Sequence, residues 1–248
     1  MFSAFLNHLR SHSFQTILCT PIMVLPTLCL GGTATENCLK LVPSIESEEA
    51  YEACTKALSS ENPTGSSLIE TLINQGVAAR YLDLIQQSED SLERAVDLAP
   101  ENDEALRMLA WTYRRQGKLH AAEKIYTRTL EINAHWRGWL SRCVVRSDLQ
   151  RWEEAISDCK MANAQNTNED SVFFLSHAQN EAKRFDDALE TVHRGLLTGL
   201  KSARIYHEGA YAAYQSNNKK DAAVLLSEGL SLFPDDADLN TLKADIGL

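Results

Sequence analysis

The sequence predicts an all-α chain in which pairs of amphipathic helices repeat and stack as a solenoid. Three observations carry this. A small residue followed four places later by a larger one recurs as Ala50 with Cys54, Ser88 with Leu92, Ala122 with Tyr126, Ala155 with Cys159, Ala188 with Val192 and Ala222 with Leu226, at steps of 38, 34, 33, 33 and 34 residues. Apolar residues fall three and four apart on either side of Gly or polar turns, as in YRRQGKLHAAEKI, and no long stretch alternates as a strand does. Beyond residue 34 the prolines are Pro43, Pro63, Pro100 and Pro234, all at expected helix boundaries, where a missing amide donor costs little.

The leading segment is different in kind. Residues 1–34 contain no Asp or Glu, and Arg10 is their one formally charged side chain. Thr16 to Leu30 is an apolar run of about fifteen residues, short of the roughly 20 that span a bilayer. Gly32 and Ala34 bracket Thr33, a small-x-small pattern ahead of Thr35. Together these features read as a secretory signal peptide, 1–34, cut after Ala34. A buried strand and an uncleaved anchor are the alternatives, and Pro21 and Pro26 weigh against the anchor. Pro26 and Leu28 ahead of Cys29 do not fit a lipoprotein signal. Removing 34 residues and the charge of Arg10 from a 248-residue chain at −10 leaves 214 residues at −11. No usable N-x-Ser/Thr sequon remains, because Asn62 precedes Pro63, and this suits a bacterial periplasm.

The repeats then follow in order. A degenerate pair occupies 35–68, its first helix cut short at Pro43, and units follow at 69–102, 103–135, 136–168, 169–202 and 203–236. The clearest is 103–135, with Leu106, Leu109, Ala110 and Tyr113 at helical spacing, Gly117 at a turn, then Ala122 and Tyr126. This resembles the tetratricopeptide repeat, W-x-x-L-G-x-x-Y, then A-x-x-x-F, then a closing proline. Trp139 supplies the opening tryptophan in the next unit, and Pro100 and Pro234 supply closing prolines. The resemblance covers about residues 35 to 248 and implies a right-handed α-solenoid. Arg142, Arg146 and Gly209 depart from the pattern, the arginines standing where large apolar residues belong. In the tail, 237–248, Leu239, Leu242 and Ile246 share one side of a helix that caps the last apolar face.

In that register Cys38 and Cys143 take one position on a first helix, and Cys54 and Cys159 one position on a second. Both pairs are 16 apart, with matching surroundings, EACTKA beside SDCKMA. Facing helices, an even count and a secreted address predict the disulfides Cys38–Cys54 and Cys143–Cys159, against four buried thiols as the alternative. Zinc is disfavoured, since 16-residue separations lack C-x-x-C clusters, and no C-x-x-C-H haem motif exists.

Function is read from what the chain has and lacks. A net charge of −10 disfavours nucleic acid as a partner. There is no G-x-S-x-G, no Gly-rich phosphate loop and no spare cysteine nucleophile, so catalysis has no residues to rest on, and no cofactor or metal is expected. In tetratricopeptide proteins the first helices line a concave groove that holds a peptide or partner helix. Register places Val77, Arg80, Tyr81, Arg107, Trp111, Arg114, Arg115, Phe173, His177, His207, Tyr211 and Tyr214 there. Arg107, Trp111 and Arg114 share a helix face, suited to an acidic or carboxylate-bearing peptide, although a solvated charged face fits equally. The Lys and Asn pattern of chaperone-tail clamps is absent. The expected role is a non-catalytic scaffold, adaptor or assembly factor of the cell envelope, of unspecified oligomeric state. The rivals are a metal- or haem-handling protein using His177, His193 and His207, and a structural subunit of an envelope complex.

Overall fold

The computed structural model describes residues 32–247, so most of the expected signal peptide lies outside the described residues. The described residues begin with α1 (Ala34–Lys40) and α2 (Ser47–Lys56), which widens into a π-helical turn over Ala57–Glu61. Five helix pairs follow: α3 (Gly65–Tyr81) with α4 (Ile85–Leu98), α5 (Asp103–Arg115) with α6 (Leu119–Ile132), α7 (Trp136–Asp148) with α8 (Trp152–Gln165), α9 (Glu169–Glu181) with α10 (Phe185–Leu197), and α11 (Ala203–Gln215) with α12 (Lys219–Leu232). A last helix, α13 (Ala237–Asp245), closes the stack. The described residues therefore form an all-α, right-handed solenoid of helix pairs with a C-terminal cap. α3 starts at Gly65, ahead of the boundary expected at 69, and α1 starts at Ala34, with Thr33 as its N-cap.

The small and large positions of the repeating pattern explain the packing. All twelve residues of the six pairs are buried. The small member lets the two helices of a pair approach, and the large member fills the space beside it. Gly209 shows how close this approach can be. A Cβ built there would lie 2.6 Å from Val192 Cγ1, so α11 and α10 touch more closely than any side chain permits. Between the helices of each pair, Asp83, Gly117, Gln150, Lys183 and Asn217 hold one recurring left-handed position, with φ of 60°, 73°, 58°, 58° and 62°. Glycine occupies it only in the best repeat, the others accepting some strain to make the turn.

Ends are capped by side chains that accept orphan amides. Asn102 accepts from Ala105 N, Asp236 from Leu239 N, and Asn168 and Ser171 cap α9 reciprocally. At the last repeat Leu239 and Leu242 of α13 are buried against Tyr206, Leu225 and Leu226, with Ile246 beside them. That covers the apolar face an open end would leave wet.

The disulfides tie helices within pairs. Cys38 of α1 is bonded to Cys54 of α2, with Cα atoms 4.8 Å apart, and Cys143 of α7 to Cys159 of α8, at 5.4 Å. Arg142 and Arg146 are partly buried, Arg142 against the Trp139 ring at 5.1 Å, and both are held by acids. Arg142 donates to both Asp158 oxygens at 2.8 Å, and Arg146 donates to Asp158 at 2.8 Å and to Glu123 at 2.9 Å. Asp158 is only 2% exposed, so a closed ionic network takes the volume of a hydrophobic contact.

Contacts between repeats give the solenoid its curvature. α3 touches α5, α5 touches α7, α7 touches α9 and α9 touches α11, whereas no second helix touches the next second helix among the described residues. The first helices are therefore crowded on the inside of the curve and the second helices splayed on the outside. One resulting outer cleft, of about 390 Å³, is lined by residues including Lys160, Asn163, Glu190 and Arg194.

Candidate functional site

The inner face carries two clusters, one at each end. Near the N-terminal end, α3 and α5 bring together Arg80, Tyr81, Met108, Trp111 and Arg115. The Arg80 guanidinium lies 4.0 Å from the centre of the Trp111 ring and 4.9 Å from that of Tyr81. Arg115 approaches the same indole at 5.4 Å, while donating to the Arg80 carbonyl at 3.2 Å and to Asp83 at 3.1 Å. Stacking on indole suits the planar, weakly hydrated guanidinium better than it suits an ammonium.

The other arginines expected to bind a partner already have acids. Arg114 forms a two-pronged pair with Asp148, and Arg107 lies 3.7 Å from Asp103. Arg107 is thus paired within α5 and Arg114 with the end of α7, so neither is a free cation. Val77 packs beside the core cluster of Leu72 and Ile73, and Tyr81 stands open at 53% exposure. Arg80 is the exception among the arginines. It is 6% exposed, no carboxylate of the described residues pairs with it, and burial pulls its pKa below the usual guanidinium range.

Toward the C-terminal end, α9 and α11 meet through Glu208. This carboxylate is also 6% exposed. His177 Nδ1 lies 3.2 Å from Oε1, Asn180 donates to Oε2 at 2.7 Å, and His207 Nδ1 is 3.9 Å from Oε1. Burial would raise the Glu208 pKa, but hydrogen bonds from His177 and His207 hold it down to about 2. Hydrogen bonding to Glu208 in turn raises both histidines above their ordinary value. His177 also stacks on Phe173 with ring centres 5.8 Å apart and meets the edge of Trp152 at 6.5 Å. Arg204 covers the other aromatic neighbour, 4.6 Å from the Phe173 ring. Tyr211 packs edge-on to Phe185, and Tyr214 is exposed.

His177 turns to Glu208 on α11, not to His193 on α10. Among the described residues no group of three or more His, Cys, Asp or Glu side chains is placed to hold a metal ion. Register does not single out Glu208, Asn180, Met108 or Trp152. Glu208 was legible only as a lone acid in an apolar helix, and nothing in spacing announced its partners.

The fold and this face define a helical repeat protein built to present an extended inner surface. Residues 104–135 match the tetratricopeptide repeat family model, and likeness to solved structures shows the tetratricopeptide fold for the solenoid. Among solved structures, the chain is similar to a tetratricopeptide repeat protein from Parabacteroides merdae, with a TM-score of 0.69 at 17% identity over 86% of this chain and 84% of that one. It is similar to YrrB, described as a tetratricopeptide repeat protein with an unusual peptide-binding site, with a TM-score of 0.61 at 16% identity over 79% of this chain and 100% of that one. MamA follows, with a TM-score of 0.60 at 16% identity over 74% and 98%. No curated protein sequence matches the chain.

Proposed function

We propose that this protein is a non-catalytic scaffold or assembly factor that holds a partner's peptide-like segment along its inner face. The observation that carries this reading is the row of aromatic side chains on the first helices, Tyr81, Trp111, Phe173, Tyr211 and Tyr214, left partly or fully open where successive first helices crowd together. Aromatic and arginine side chains on a preformed concave surface supply binding energy at little ordering cost. The likeness to YrrB supports a peptide as the kind of partner.

The working compartment is oxidising, with residues 1–34 as the export signal and a bacterial periplasm as the destination. Two disulfides support it, because such bonds persist outside the reducing cytosol. No described helix is long and apolar enough to cross a membrane. The test is partner binding by variants in which Trp111 or Tyr211 is replaced by alanine. Affinity falls by about tenfold or more for each if these rings are binding anchors, while helicity is retained. Unchanged affinity in both would move the site off the inner face.

A further inference from the structure

Arg80 is a cation kept from water without an anion. Its Nε–H is buried with no acceptor, Nη1 donates to the Met108 sulfur at 3.2 Å, a weak acceptor, and its remaining hydrogen-bonding partner is the neutral Tyr81 side chain. The planar faces of the guanidinium are used, on Trp111 and Tyr81, while its edge meets only neutral partners and leaves Nε–H unsatisfied. Around it the charges do not cancel. Arg107, Arg114 and Arg115 each have an aspartate, namely Asp103, Asp148 and Asp83, and the unmatched charge is that of Arg80. Elsewhere in the chain buried charge is compensated: Asp158 has two arginines and Glu208 has two histidines and an amide. A buried charge left alone is strongly unfavourable, and ion pairs of this burial are closed wherever the fold alone decides them.

From this we infer that Arg80 is the receptor for a carboxylate carried by the bound partner segment, with Trp111 and Tyr81 as the walls. This rests on the peptide-holding reading of the inner face and names the chemistry it selects. A carboxylate fits because the guanidinium fork offers parallel donors in its own plane, which stacking leaves free. The arginines that look most available, Arg107 and Arg114, are not the receptors, because their aspartates occupy them.

Positional-scanning libraries of random octapeptides, one set with free C termini and one amidated, test this on the full chain. Wild type should enrich Asp or Glu over Asn or Gln by about tenfold at one position if a side chain is read, or should prefer the free-acid set by about tenfold if a terminus is read. Arg80→Met should lose that preference while its other sequence preferences persist, with a Tm equal to or above wild type, since an uncompensated charge has been removed. A lower Tm with the preference intact would mark Arg80 as structural and overturn the inference. If Arg80→Met fails to fold, Arg80→Lys serves: it keeps the charge without the planar fork, and the preference should fall several-fold, whereas an undiminished preference overturns the inference. Peptides that bind wild type with no carboxylate preference overturn it and leave the inner-face reading standing. No binding from either library overturns both.

Discussion

His177 on α9 and Glu208 on α11 meet across one repeat step, with Nδ1 and Oε1 3.2 Å apart, and join two first helices that belong to different helix pairs. The raised histidine pKa values mean that their contribution to folding is present below about pH 6.5 and is lost as pH rises through the raised values. The depressed Glu208 works in the opposite sense: its contribution is present above its ordinary 4.5 and is lost as pH falls toward about 2. The joint is strongest between about pH 4.5 and 6.5. Melting of wild type minus that of Glu208→Gln, measured from pH 3 to 9, should peak in that window. A flat difference would show that the joint adds nothing.

The buried network of Arg142, Arg146, Asp158 and Glu123 behaves asymmetrically. Asp158→Ala leaves two arginines without their shared anion and should cost about 3–5 kcal/mol in denaturant unfolding. Replacing Arg142, Arg146 and Asp158 together by apolar residues of similar volume should be neutral or stabilising by about 1–4 kcal/mol. Equal losses in both variants would refute the view that this network substitutes for a hydrophobic contact.

Gly209 marks a close helix approach, between α11 and α10. Gly209→Ala should destabilise by about 1–3 kcal/mol, because Val192 has to move. Adding Val192→Ala should recover part of the loss, read as a non-additive double-mutant cycle.

The two disulfides each close a separation of 16 residues, so each is expected to contribute roughly 3 kcal/mol in the chain-entropy model. The bridge Cys38–Cys54 matters more locally, since α1 has only seven residues. Reduction should release amide exchange in 34–56 well before the interior repeats open. Protein isolated without reductant should have a mass about 4 Da below the reduced form, from four hydrogens lost.

Much of this fold is written in the sequence, because a solenoid repeats its packing rule. The pairs from Ala50 and Cys54 to Ala222 and Leu226 fix which surface of each helix is buried. The same register places the cysteines opposite each other and puts Tyr81, Trp111 and Tyr211 on the inner face. What resists such reading is what breaks the pattern. Arg142 and Arg146 look like lost core positions until Asp158 of α8, the other helix of the pair, is seen between them. Arg114 and Arg107 look like free cations until Asp148 and Asp103 are placed. Arg80 looks like one more surface arginine, and only its burial beneath Trp111 separates it from them. The end of α1 nearest the expected signal also differs: helix starts at Ala34, where Glu61, at the end of the π-helical turn, accepts from the amides of Ala34 and Thr35 at 2.6 and 2.9 Å.

The account rests most heavily on the inner face as the place where a partner segment lies. Photo-crosslinking tests this most directly, with a benzophenone side chain placed one at a time at Tyr81 and Tyr211 on the first helices, and at Val224 and Leu197 on the second helices, in cells producing the full chain. The account predicts that the same partner peptide is captured from Tyr81 and Tyr211 and not from Val224 or Leu197. Capture from the second-helix positions alone would contradict it.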